Sequence, residues 1–275
     1  MSKTVLGAVA ALAFAMTFAS SGNAQTQSVL DKVKRDGVIK VCAPEVVPDL
    51  YKDPRSGQWL GVMADLLTEL AEWTKLKVEY VEVGSFDAAI LTLKQGACDV
   101  VGSSMVYNAP RSMEVSFIKP FGAKGINAVI PKGNPKNLKT PADLNSPSIT
   151  IVARLGSREQ ETAKRLFPKA KMLAVKVPSA IQIVEQVKRG DADAALLPTI
   201  TISWWLDVAE NATWGVMAFP GQDFGNAPNG WAVRYGDPAW KDFLDNYSNY
   251  VSVNNIAATL YEDYLKRSNP YTTKN

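Results

Sequence analysis

The chain has 275 residues, of which 30 are basic and 27 acidic, and 47% are hydrophobic. That length exceeds what one simple core needs and suits two lobes of ordinary size, each with enough apolar residues to fill it. A formal net charge of +3 excludes the strongly basic surface by which a protein holds nucleic acid or an anionic membrane.

The chain opens with Lys3, an apolar stretch over 5–19 interrupted by Thr17, and small residues at Gly22 and Ala24. This is the pattern of a cleaved secretory leader over residues 1–24, with the mature chain starting at Gln25. The stretch is shorter than the ~20 residues of a spanning helix. No Cys stands at the cleavage point, so no lipid anchor is expected. Two cysteines occur, Cys42 and Cys98. An exported chain could pair them, but each sits in a short apolar strand-like segment, and two unpaired buried thiols are expected. With no His and no Cys-x-x-Cys, no metal or other cofactor is expected.

Residues 38–42 read as a first strand, followed by a loop over 43–61 rich in Pro, Asp and Gly. Apolar residues at 62, 63, 66, 67 and 70 recur at the spacing of one helix face. A strand over 77–83, a helix over 86–94 and a strand over 100–102 follow. Strands alternating with helices predict a largely parallel α/β sheet. The second half echoes the first: Leu93-Lys94-Gln95-Gly96-Ala97-Cys98-Asp99 has the pattern of Val187-Lys188-Arg189-Gly190-Asp191-Ala192-Asp193. Each is a helix end, a Gly able to stop it, then an Asp before a small apolar strand. Two similar α/β lobes follow, with a cleft between them. Crossings are expected at Pro120-Phe121-Gly122 and in the Gly/Pro/Asn-rich stretch from Phe219 to Gly230. Lobe 1 then comprises 25–122 and 226–275, and lobe 2 comprises 123–225.

Several segments in this order resemble the bacterial extracellular solute-binding proteins of the polar amino-acid type, family 3 of the ABC importers. They are Gly37-Val38-Ile39-Lys40-Val41; Gly61 ahead of Asp65-Leu66; Asp99 with Met105, Arg111 and Val115 to Phe121; Ala142-Asp143-Leu144 and Gly156-Ser157; Gly190 to Ala194; and Ala232 to Asp237. The resemblance spans nearly all of the mature chain. It implies a two-lobed type II periplasmic-binding-protein fold, two parallel-rich sheets joined by two crossings. It also implies a monomer in the periplasm that closes on a small carboxylate-bearing ligand and docks on an inner-membrane ABC permease, without catalysis. The rival reading is an enzyme on the same fold, such as a cyclohexadienyl dehydratase-like protein, for which Glu45 is the cleft-side acid to watch.

Arg111 is the first candidate for binding. An Arg at a helix start opposes the macrodipole, and the resemblance implies that it grips the ligand carboxylate with its two-pronged guanidinium. The bland reading is a surface salt bridge. Ser103 and Ser104 end a strand, where the crevice of an α/β sheet lies, and either face the ligand or serve a turn. Ser157 heads a capping-box pattern, Ser157-Arg158-Glu159-Gln160, and exposed amides at such a start bind anions; Arg158 either reaches the ligand or solvent. The chain departs from the family at Pro198 and Thr199, where an Asp for the ligand ammonium is usual, and at Val106, where a hydroxyl is usual. Glu45 or Asp49 could supply the missing carboxylate, or both are solvated loop residues. Trp59, Trp204, Trp205 and Trp214 either stack a ligand or pack.

Overall fold

The computed structural model describes residues 27–177, 180–208 and 210–266. The expected leader therefore lies outside the described residues. The first half runs α1 (Val29–Asp36), β1 (Val38–Pro44), β2 (Tyr51–Lys52), β3 (Trp59–Leu60), α2 (Val62–Thr74), β4 (Lys77–Val83), α3 (Phe86–Lys94), β5 (Val100–Val106), α4 (Ala109–Ser112) and β6 (Ser116–Phe117). The chain then passes through β7 (Gly122–Pro131) to β8 (Thr150–Arg154), α5 (Arg158–Leu166), β9 (Lys171–Val175), α6 (Val184–Lys188), β10 (Ala194–Pro198), α7 (Thr199–Leu206), α8 (Asn211–Trp214) and β11 (Gly215–Met217). It returns through β12 (Phe224–Val233) and ends in α9 (Pro238–Val253) and α10 (Ile256–Lys266).

The strand order β4-β1-β5-β12-β7-β10-β8-β9 is nearly symmetric about its centre. On each side three strands are parallel: β1 with β4 and β5, and β8 with β9 and β10. Between them lie the antiparallel β7 and β12. The two expected sheets are thus welded into one curled sheet, because the crossings are long paired strands. Each lobe is three layers deep. In the first, Val41, Leu66, Leu67, Leu70, Trp231 and Trp240 fill one face of the sheet, and Ile90, Leu93, Val101 and Met105 the other. In the second, Ile151 and Leu196 pack with Ala163 of α5, while Val152 and Leu197 pack with Val184 and Ile202. Adjacent residues serving opposite faces is the period-2 rule of strands, here buried on both faces as parallel sheets are.

The internal echo has a physical basis. Gly96 and Gly190 both adopt left-handed φ, +80° and +83°, just past their helices. The Asp99 carboxylate accepts from the Lys40 amide at 2.9 Å, and the Asp99 amide donates to the Lys40 carbonyl at 2.7 Å. Asp193 repeats both bonds on Thr150, each at 2.8 Å. A Lys then faces each carboxylate, Lys32 at 3.0 Å and Lys136 at 3.3 Å. The repeated Asp is therefore a clamp that registers two parallel strands.

The expectation of free thiols is overturned. Cys42 and Cys98 form a disulfide, with Cα atoms 5.6 Å apart and both residues fully buried. Cys42 stands within β1 opposite Val101, and Cys98 lies outside β5, in the turn that precedes it. Two cysteines that each read as lone strand residues are joined across that turn.

Candidate functional site

The C-terminal ends of β1, β5, β8 and β10 carry the loops and helix starts that hold the expected site residues. Arg111 lies in the single turn of α4, where the Asn108 side chain caps the helix by accepting from the Arg111 amide at 2.9 Å. Its guanidinium donates to the Val106 carbonyl at 3.3 Å and lies 4.8 Å from the Phe86 ring centroid. Among the described residues no carboxylate comes within ion-pair distance of it. Burial pushes its pKa down, opposed by the charges of Asp87 and Glu159 and reinforced by Arg154. Glu159 and Arg154 belong to the second lobe, so Arg111 faces across to the start of α5.

Ser103 and Ser104 are both buried and point to opposite faces of β5. The Ser103 hydroxyl has no hydrogen-bond partner among the described residues, and neither does that of Thr199 at the start of α7. Ser104 accepts from the Asn229 amide at 2.5 Å. Ser157 caps α5 by accepting from the Gln160 amide at 3.2 Å, while the Gln160 side chain reaches back to the Gly156 amide at 2.8 Å. The expected capping box is present, displaced by one residue on its return arm.

Arg158 is turned inward rather than to open solvent. Its guanidinium donates to the carbonyls of Lys124, at 2.8 Å, and Gly225, at 3.2 Å, on the two crossing strands. Its other edge faces the Glu159 carboxylate at 3.3 Å. Glu45 is exposed. Asp49, by contrast, is fully buried rather than solvated.

Asp49 sits at the centre of a polar cluster that pattern reading missed. One carboxylate oxygen accepts from the Lys124 ammonium and the other from the Tyr261 hydroxyl. The Lys124 side chain is 9% exposed and that of Asp49 1%. Burial pushes the Lys124 pKa down, and Asp49 opposes it. Burial and the Asp49 charge both push the Tyr261 pKa well above its ordinary value, while Ser104 beside it pulls the other way. The Asp49 loop is held by α2, whose Met63 amide donates to the Asp49 carbonyl at 2.7 Å. Gly61, at φ +115°, permits this approach, since a Cβ there would overlap that carbonyl. The cluster joins three segments remote in sequence.

The four Trp candidates pack. Trp59 stacks on Tyr80 at 5.2 Å, Trp205 meets Trp214 edge-on at 5.3 Å, and Trp204 lies 6.2 Å from Tyr51. The last contact, with the hydrogen bond from Thr201 to the Val47 carbonyl at 3.1 Å, joins the wall of the second lobe to that of the first.

Comparison with known proteins agrees with this architecture. The chain is 23% identical over 219 residues to a probable amino-acid ABC transporter periplasmic-binding protein of Sinorhizobium fredii, covering 79% of this chain and 71% of that one. It is 23% identical over 201 residues to cyclohexadienyl dehydratase of Pseudomonas aeruginosa, covering 73% and 74%. A similar solved structure is an ancestral amino acid-binding protein described as a precursor of cyclohexadienyl dehydratase. It superposes with a TM-score of 0.73 at 27% identity, over 87% of this chain and 100% of that one. The sequence profile of one family matches residues 39–267, and the chain belongs to that family, the bacterial extracellular solute-binding proteins, family 3.

Proposed function

We propose that this protein is the periplasmic solute-binding component of an ABC importer. It binds a small carboxylate-bearing ligand, an amino acid or a related organic acid, between lobe 1 (25–122 and 226–275) and lobe 2 (123–225). It works as a monomer exported by its leader, and its closed form docks on an inner-membrane permease. Ser103, Ser104, Ser157 and Thr199 line the polar wall, and Arg111 grips the carboxylate.

The observation that carries this reading is the Arg111 guanidinium, partly buried yet without an ion-pair partner among the described residues. A charge partly taken out of water without a paired counter-ion is disfavoured, and an anionic ligand placed between α4 and the start of α5 supplies that partner. Two buried hydroxyls left without partners, those of Ser103 and Thr199, favour a polar ligand in the same way. Binding without turnover is favoured because the acids of this region are engaged or exposed. Asp49 is held by Lys124 and Tyr261, Glu159 by Arg158, and Glu45 faces solvent.

A thermal-shift screen of amino acids and organic acids tests the reading, since stabilisation grows with ligand concentration over Kd. Arg111→Ala is expected to weaken the best ligand on the order of 100-fold, about the worth of a charge-assisted bidentate contact. Arg111→Lys recovers only part of this because it lacks the fork. Unchanged affinity in Arg111→Ala sinks the site assignment, and turnover of a screened acid sinks the binding-only reading.

A further inference from the structure

The ion pairs of the cleft leave one guanidinium over. Lys124 engages Asp49 and Arg158 engages Glu159. Arg111 makes no ion pair among the described residues; the charges of Asp87, Glu159 and Glu161 bear on it only from beyond salt-bridge distance, and that of Arg154 opposes them. Its fork is open to a negatively charged ligand, whereas the two carboxylates paired here are not open to a positive one.

An α-amino acid brings both charges. Its ammonium needs a carboxylate within the closed cleft, because an unpaired buried ammonium is strongly disfavoured. Pro198 and Thr199 at the end of β10 carry no charge, and Glu45 is exposed. The deep carboxylate is Asp49, and it is already covered on both oxygens, by the Lys124 ammonium and the Tyr261 hydroxyl. The Lys124 ammonium lies on the first crossing strand, close enough to Arg158 and Glu159 to feel both charges. It therefore sits where the two lobes and the crossing meet, rather than in the interior of one lobe.

From this arrangement we infer that Lys124 is a specificity-determining residue, an ammonium supplied by the protein that occupies Asp49 in place of the ligand's own, so that the cleft prefers carboxylic acids lacking an α-amine. The inference rests on the solute-binding reading above and narrows it to 2-oxo acids, 2-hydroxy acids and similar amine-free anions. Lys124 as a mere tie between lobe and crossing is the competing account, and it makes no distinction between ligands.

The test is calorimetric titration of the purified protein with matched pairs: pyruvate and L-alanine, 2-oxoglutarate and L-glutamate, phenylpyruvate and L-phenylalanine. In the unaltered protein the amine-free member of the bound pair is expected to bind at least tenfold more tightly. In Lys124→Ala the order reverses, as Asp49 becomes free to accept an ammonium; in Lys124→Arg it does not. The double variant Lys124→Ala/Asp49→Asn leaves no buried charge unpaired, so it remains testable if the single variant does not fold. It is expected to keep both its affinity for the amine-free member and the tenfold preference, since no carboxylate is freed to accept an ammonium. Equal or tighter binding of amino acids by the unaltered protein overturns the inference and leaves the solute-binding reading standing. So does an equal loss for both members in Lys124→Ala or in the double variant. Absence of binding by every member of every pair overturns the carboxylate-binding reading, and the inference with it.

Discussion

The Arg158 guanidinium donates to the carbonyls of both Lys124 and Gly225, one on each crossing strand. A side chain at the start of α5 thereby fastens the second lobe to the hinge. The planar fork suits two acceptors at once in a way an ammonium does not. Arg158→Ala is expected to cost about 2–3 kcal/mol, the range for charged donors to buried acceptors, and Arg158→Lys to recover less than half. Hydrogen exchange should quicken in β7 and β12 in both variants; unchanged protection there would show that the fastening is idle. The capping role of Ser157 beside it was readable from Ser157-Arg158-Glu159-Gln160, because a cap depends on residues within one turn. The target of Arg158 was not, since it depends on two strands 34 and 67 residues away. Asp49 was legible only as one of two loop carboxylates. Its burial follows from Lys124 and Tyr261, and neither announces in sequence that it will reach the same loop.

Among elements, the parallel pairs of each lobe share one device, the Asp that precedes β5 and β10 and binds the backbone of the neighbouring strand. The two copies are unequally buried: the Asp99 side chain is 1% exposed and that of Asp193 is 23%. Replacement by Ala leaves a strand amide without its acceptor and a Lys without its nearest carboxylate, and desolvation sets the cost. Asp99→Ala should therefore destabilise by about 3 kcal/mol and Asp193→Ala by about 1–2 kcal/mol. Chemical unfolding of the two variants checks this, and an equal or reversed order would refute the burial argument. The elements themselves were well marked. Residues 62, 63, 66, 67 and 70 all face the core of α2 as their spacing implied, and β4 and α3 have the expected bounds. The strand expected over 100–102 extends to Val106, because Ser103 and Ser104 read as turn residues while pairing with β12 carries the ladder through them. Short β2 and β3 inside the loop over 43–61 gave no signal, as two-residue strands have no period to detect.

For the molecule as a whole, the disulfide closes a loop 56 residues long that contains the Asp49 loop, α2, β4 and α3. On a chain-entropy account such a closure contributes about 4 kcal/mol, or roughly 10 °C in Tm for a protein of this size. The Cys42→Ser/Cys98→Ser variant, and the parent protein after full reduction, should each melt lower by about that amount; a melting curve indifferent to reductant would contradict the pairing. The two-lobed plan was foreseen from the echo, which is a local pattern written twice. The cysteine pairing was not, because it depends on how the turn before β5 folds against β1, and separate strand-like segments do not disclose that.

The antiparallel ribbon of β7 and β12 gives the second lobe a peculiar status in the chain's wiring. Lys124 pairs with Ala227 and Ala123 with Pro228, so everything between leaves and re-enters through neighbouring strands about 5 Å apart. To the first lobe, the whole second lobe is the turn of a hairpin. Its size and sequence can change without displacing any strand of the first, just as a long loop can be exchanged on a fixed stem. Chimeras that graft the corresponding segment of a relative at this seam should keep the first lobe's core intact while replacing the residues from β8 to β10 that the proposed site draws on.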